Sequence, residues 1–290
     1  MLTLAMIASP AYIAAAPQHL FFAGRERTFR VYRPASLSRD AAVPLVVVLH
    51  GGFGSGAQAE KSYGWDAAAD RHRFVVVYPD GVNHAWNAGT CCGKPQRREI
   101  DDVGFLSALI REISVREHID STRVAVTGMS NGAMMAYRMA CESPVHLRAI
   151  GSVSGTMLVP CLHPQRTSVM EIHGISDHNV PYEGGKGQGP AGVQTPPIPG
   201  VVAHWRAIDD CDPPQTHSNG VVTIEQMTCS DALAVELIAI AGAGHQWPGG
   251  KPASPEITRF VRALGISGID PPSTALDATE TLYRFFFEAR

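Results

Sequence analysis

The chain has 290 residues, with 24 Lys and Arg against 27 Asp and Glu, a formal net charge of −3 at pH 7. That balance excludes a basic nucleic-acid-coating protein and an acidic disordered chain, so nucleic acid is not expected as a partner. Hydrophobic residues make up 45% and charged residues 18%, enough apolar side chain for a real core. Past a mildly apolar N-terminus no run approaches the roughly 18–20 apolar residues of a bilayer span, so no membrane partner is expected. The 28 glycines and 21 prolines point to many turns rather than a helical bundle.

Residues 1–16, MLTLAMIASPAYIAAA, carry no charge and end in three alanines. They resemble the apolar region and small-residue cleavage zone of a secretory signal. No Lys or Arg precedes the run, and Pro10 interrupts it. From Phe21 to Arg33 short alternation with β-branched and aromatic residues predicts a hairpin or edge strands. Continuous apolar runs follow: PLVVVLHGG from Pro44, FVVVYPDG (Phe74–Gly81), RVAVTGMS (Arg123–Ser130), AIGSVSG (Ala149–Gly155), SVMEIHG (Ser168–Gly174) and AVELIAI (Ala234–Ile240). Runs of this kind mark strands buried on both faces, as in parallel sheets. Helical stretches alternate with them at Gln58–His72, Asp102–His118, Asn131–Glu142, Ile198–Ile208 and Ala275–Glu288. The alternation predicts an α/β fold with a mostly parallel central sheet and helices on both faces. Glu183–Pro199 is Gly- and Pro-rich and reads as a long loop. Residues 20–290 read as one domain, because no composition break marks a second.

The six cysteines are Cys91, Cys92, Cys141, Cys161, Cys211 and Cys229. An even count behind an export-like leader suggests disulfides, with 15 possible connectivities. Cys211 and Cys229 bracket a short turn and a strand-like run and are expected to pair. Neighbouring cysteines make a strained bond, so Cys91 and Cys92 are expected to reach Cys141 and Cys161. A zinc site is the rival, but no CxxC or His-x3-His spacing supports it. No metal or other cofactor is expected.

Gly128-Met129-Ser130-Asn131-Gly132 fits G-x-S-x-G, after an apolar strand and opening an Ala- and Met-rich helix. Glycines at both ends let a tight turn close without side-chain clashes. The serine is then held at a helix N-terminus, whose dipole favours developing negative charge. A serine needs a base to take its proton. His245, in the glycine-rich loop after the last strand run, has the position; His50, His173 and His204 read as structural. The residue that orients the base is expected after the preceding strand, which selects Asp177. Asp209, Asp210 and Asp212 compete but follow a helix. The order Ser130, Asp177, His245 is that of α/β-hydrolases. His50-Gly51-Gly52-Phe53-Gly54 follows the PLVVVL strand. It supplies an oxyanion donor at the Gly52 amide, with Phe53 second, and the Asn131 amide supplies the other. As a phosphate loop the same glycine cluster lacks G-x4-G-K-[ST] spacing. Phe53, Trp86 and Trp247 lie beside these loops and are candidate substrate-binding residues, since aromatic faces suit sugars or a phenolic acyl group.

Seven segments carry a family resemblance: LHGGFGSG (49–56), VVYPDG (76–81), WNAGTCCG (86–93), DDVGFLSALI (101–110), RVAVTGMSNGAMMAYRMACE (123–142), HGISDHNVPYEGG (173–185) and GHQWPG (244–249). On them the chain resembles the secreted polyhydroxybutyrate depolymerase and feruloyl esterase-like α/β-hydrolases, similar to carbohydrate esterase family one. The resemblance covers about residues 20–290. It implies the α/β-hydrolase fold, secretion or a periplasmic location, disulfides, and Ser130, Asp177 and His245 as the triad. The expected activity is hydrolysis of carboxylic esters through an acyl-enzyme. The expected partner is an ester substrate, either polymeric or small: feruloyl or acetyl esters of plant polysaccharide, or hydroxybutyrate polyester and its oligomers. A peptidase of the same fold, or an inactive module that binds sugar or protein, are the alternatives.

Overall fold

A computed structural model of the chain describes residues 16–38, 40–189, 192–252, 258–259, 263 and 270–288. All but the last residue of the leader-like segment 1–16 lie outside them. In chain order the elements are β1 (Gln18–Phe22), β2 (Arg25–Tyr32), β3 (Val43–Leu49), α1 (Gly56–Tyr63), α2 (Trp65–His72), β4 (Val75–Pro79), α3 (Gly93–Arg97), α4 (Asp102–Arg116), β5 (Ile119–Met129), α5 (Asn131–Glu142), β6 (Ala149–Val153), β7 (Ser168–Gly174), β8 (Gly185–Lys186), β9 (Gln194–Thr195), α6 (Ile198–Ile208), β10 (Gln215–Ser218), β11 (Val222–Thr228), β12 (Ala234–Ile240) and α7 (Ala278–Phe287).

Ten strands form one sheet in the order β1-β2-β4-β3-β5-β6-β7-β12-β11-β10. The six central strands, β4 to β12, are parallel, and antiparallel pairs close both edges. All seven residues of β3 and of β7 are buried, which is why these strands read as unbroken apolar runs. Side chains alternate along each strand between two cores. Leu45, Val47 and Leu49 pack with α4, α5 and α6. Val46 and Val48 pack with α1, α2 and α7. Helices therefore cover both faces, as the strand–helix alternation predicts. The Gln58–His72 stretch divides at Gly64, whose φ of 84° ends α1 and opens α2. Among its described residues the Glu183–Pro199 stretch holds the two-residue pair β8–β9 and, from Ile198, the start of α6.

The disulfides correct one expectation. Cys211 pairs with Cys229 as expected, but Cys141 pairs with Cys161 and Cys91 with Cys92. After β6 the chain folds back along the end of α5, where the Gln165 amide donates to the Ala140 carbonyl (3.0 Å). This sets the Cα atoms of Cys141 and Cys161 4.9 Å apart and leaves the two neighbours to each other.

Asp209, which caps the C-terminus of α6, is completely buried. Neither carboxylate oxygen has a hydrogen-bond partner among the described residues. Burial pushes its pKa up to about 7, against the opposing pull of Arg166. An unfolded carboxyl ionises near about pH 4, so between about pH 4 and pH 7 the folded chain keeps a proton that the unfolded chain has lost. Stability falls as pH rises through that window. Asp209→Asn removes the titration. Its melting temperature relative to the wild type should rise between about pH 5 and about pH 8 in thermal unfolding; a pH-independent difference would contradict the assignment.

Candidate active site

Because β3, β5, β7 and β12 run parallel, the loops that follow them emerge at one edge of the sheet. Residues 50–54 follow β3, Ser130 follows β5, Asp177 follows β7 and His245 follows β12. This is the edge where open parallel sheets bind ligands, and the strand order reverses at β3, with β4 added on one side and β5 on the other.

Ser130 stands at φ 55°, ψ −122°, a strained conformation for a residue with a side chain. Its amide donates to the Val153 carbonyl (2.9 Å) and its carbonyl accepts the first bond of α5 from Met134 (2.9 Å). The turn closes because both flanking residues are glycines. A Cβ on Gly128 would lie 2.6 Å from the Gly132 carbonyl carbon, and one on Gly132 would lie 2.4 Å from the Leu49 oxygen. Gly51 passes alongside, where a Cβ would sit 3.5 Å from that of Ser130. The serine hydroxyl makes no hydrogen bond to a described residue, His245 included.

His245 Nδ1 lies 2.7 Å from Asp177 Oδ2. The other Asp177 oxygen accepts the amides of Asn179 (2.8 Å) and Val180 (2.9 Å). Burial alone would raise the Asp177 carboxyl, but His245, His173 and the Val180 amide outweigh it and hold it below the ordinary carboxylate value. The His245 amide donates to Asp270 Oδ2 (2.7 Å), which fixes the loop from the far side. The structure thus joins Asp177 to His245 directly and sets Ser130 on the same edge of the sheet.

The loop after β3 is braced through its backbone. His50 is buried; its Nε2 accepts the Gly81 amide (2.9 Å), so its Nδ1 donates to the Gly51 carbonyl (2.7 Å). Burial pushes its pKa down to about 4, which keeps it neutral. The Phe53 amide is already donated to the His84 carbonyl (2.8 Å). The Gly52 amide donates to no described residue, and the Asn131 amide, first in α5, has no intrahelical acceptor. Of the two loop amides named from sequence, Gly52 is the free one. The Asn131 side chain has a separate task. Its Oδ1 accepts the Trp86 amide (2.7 Å) and its Nδ2 donates to the Trp86 carbonyl (3.0 Å).

Two substrate-binding expectations are corrected. Trp86 is fully buried, its indole N–H on the His50 carbonyl (3.0 Å). Trp247 is 3% exposed, stacked on Tyr63 at 4.3 Å and bonded to Thr279 (3.0 Å). Both rings are consumed by packing under the loops and present no face to a ligand. Phe53 is 57% exposed, at φ 64°. Sequence reasoning missed Asp270, which no motif marks. It also passed over Glu171, although a glutamate two residues before a histidine in an otherwise apolar buried strand is a visible signal.

A mostly parallel sheet flanked by helices, with a G-x-S-x-G turn after β5 and an Asp–His pair on loops after β7 and β12, defines an α/β-hydrolase. Residues 28–178 match the family model described as esterase PHB depolymerase, and the chain belongs to that family of carboxylic ester hydrolases. It is 30% identical over 254 residues to the NocK protein of Nocardia uniformis subsp. tsuyamanensis, named for an esterase, covering 79% of this chain and 72% of that protein. It is 28% identical over 236 residues to feruloyl esterase B of Piromyces equi, covering 75% of this chain but 42% of that longer protein. The fold matches that of an acetyl xylan esterase from Aspergillus awamori with a TM-score of 0.60 at 17% identity, over 87% of this chain and 100% of the other.

The turn geometry separates two glycines. A Cβ on Gly132 strikes core backbone, whereas one on Gly52 meets nothing within 4 Å. Gly132→Ala should destabilise the fold by an overpacking cost of about 1–3 kcal/mol, seen as a lower melting temperature, and reduce ester hydrolysis. Gly52→Ala should leave the melting temperature unchanged. Equal unfolding temperatures for the two variants would refute the steric account.

Proposed function

We propose that Ser130, His245 and Asp177 act as a nucleophile–base–orienting triad that hydrolyses acyl esters carried on plant polysaccharide. The observation that carries the reading is the 2.7 Å Asp177–His245 contact on the edge of the sheet that bears the strained Ser130 turn. Ser130 Oγ attacks the ester carbonyl carbon as its proton passes to His245 Nε2. The oxyanion is held by the Gly52 and Asn131 amides. The tetrahedral intermediate expels the alcohol oxygen, which takes that proton, and an acyl-enzyme remains. Water then attacks the acyl carbon, giving a proton to His245. Collapse releases the acid and returns the proton to Ser130. Asp177 holds the imidazole with Nδ1–H toward itself, so that Nε2 is the basic nitrogen.

The substrate class rests on the relatives named for feruloyl and acetyl xylan esters and on the exposed apolar side chains of Phe53 and Ile175 beside the loops. These suit an uncharged acyl group. The family's name supports a second reading, hydroxybutyrate polyester or its oligomers. An oxidising compartment outside the cytoplasm fits a chain whose six cysteines all form disulfides. Among the described residues no helix is long and apolar enough to cross a membrane.

A hydrolysis panel tests the reading: p-nitrophenyl acetate, methyl ferulate, acetylated xylan, hydroxybutyrate oligomers and a peptide amide. The wild type should favour ferulate or acetylxylan. Ser130→Ala should lose about 10⁴-fold or more in kcat. A preference for hydroxybutyrate oligomers would select the polyester reading, and full activity in Ser130→Ala would remove the nucleophile assignment.

A further inference from the structure

Behind Asp177 lies a buried polar chain that the triad chemistry does not use. Tyr137 on α5 and Glu171 and His173 on β7 are all fully buried. The Tyr137 hydroxyl donates to Glu171 Oε2 (2.9 Å). Glu171 Oε1 lies 2.8 Å from His173 Nδ1. His173 Nε2 lies 2.8 Å from the Val180 carbonyl and 3.5 Å from Asp177 Oδ2, the oxygen that also meets His245.

The hydrogen positions follow from the partners. A carbonyl oxygen only accepts, so His173 Nε2 carries a proton. The short Nδ1–Oε1 contact holds a second, since two lone pairs facing each other would repel. The Glu171–His173 pair therefore shares one proton and is neutral overall. Tyr137 donates to the remaining Glu171 oxygen, which favours the carboxylate and leaves the proton on the imidazole. Burial opposes charge on His173, but Glu171 and Asp177 outweigh it and raise its pKa above the ordinary histidine value. Among the described residues the titratable groups facing His173 are Glu171 on its own strand and Asp177 and Tyr182 from the following loop. Tyr137 reaches it through Glu171, and His245 through Asp177.

We propose that Glu171 and His173 are positioning residues for the Asp177–His245 pair. The buried imidazolium, anchored by Glu171, ties down the 175–180 turn through the Val180 carbonyl and sets a positive charge behind the Asp177 carboxylate. This rests on the reading of Asp177 and His245 as orienting residue and base. His173 Nε2 and His245 Nδ1 thus face the same Asp177 oxygen, Oδ2.

Glu171→Gln tests the charge while keeping the shape. The amide N–H donates to His173 Nδ1, the amide oxygen still accepts from Tyr137, and His173 becomes neutral. The variant thereby removes the positive charge that faces Asp177 Oδ2. The acid limb of kcat/KM on p-nitrophenyl acetate should therefore move up by about half a pH unit or more, with less than about a tenfold fall in plateau kcat. A purely structural role would lower the plateau and leave the limb in place. Nitrogen-15 NMR of the wild type provides a readout that needs no variant to fold: His173 should show both ring N–H signals across neutral pH. A folded Glu171→Gln with an unmoved acid limb, or a single ring N–H on His173 in the wild type, overturns the proposal. Asp177→Asn is run alongside. If it keeps the wild-type rate, the triad reading itself fails. If it loses activity while Glu171→Gln leaves the limb unmoved, only the positioning role fails.

Discussion

Closure of the turn between β5 and α5 depends on backbone meeting backbone where no Cβ can stand. Gly128 and Gly132 pack against each other and against the Leu49 and His50 carbonyls of the neighbouring strand end. That contact forces Ser130 into its strained conformation and starts α5 at the next residue. It also ties the β5 turn to the loop after β3, which carries the Gly52 amide. Strain at Ser130 persists because the surrounding sheet over-determines it. The Val153 carbonyl on one side and the first helical bond on the other leave the residue no alternative path.

The Asp177–His245 pair is held by a different device, the full satisfaction of a buried carboxylate. Asp177 is 3% exposed, and an unpaired charge there would be costly. Two amides of its own turn and the His245 ring meet its oxygens, and Asp270 holds the His245 backbone from the opposite side. Orientation of the imidazole thus comes from groups that are themselves fixed. Asn131 shows the same economy. Its side chain clamps Trp86, while its backbone amide, first in α5, has no intrahelical acceptor.

The same logic explains why the two tryptophans serve the scaffold. Trp86 lies over His50 with ring centroids 5.1 Å apart and bonds to the His50 carbonyl. Trp247 fills the space between Tyr63 and α7. Each is a large apolar body with one N–H, and each N–H has found a buried acceptor, the usual arrangement for an indole inside a protein. Phe53 and Ile175 are the large apolar side chains left exposed on the loops after β3 and β7.

Local pattern alone determined the central strands, the start of α5, the G-x-S-x-G turn, and the placing of Ser130, Asp177 and His245 after parallel strands. Doubly buried strands must be apolar along their whole length, and a tight strand-to-helix turn must carry glycines, so both leave marks in consecutive residues. Periodicity could not divide α1 from α2, because one left-handed glycine breaks a helix without changing the apolar pattern. Only the tertiary structure decided that Trp86 and Trp247 turn inward, that Cys141 meets Cys161, and that Asp270 supports the histidine loop. Each of these depends on which distant segment arrives at a given place. Contacts of that kind, such as Asp270 against His245 or Trp86 against Asn131, are set by how the sheet stacks its loops, and no short stretch of sequence encodes them.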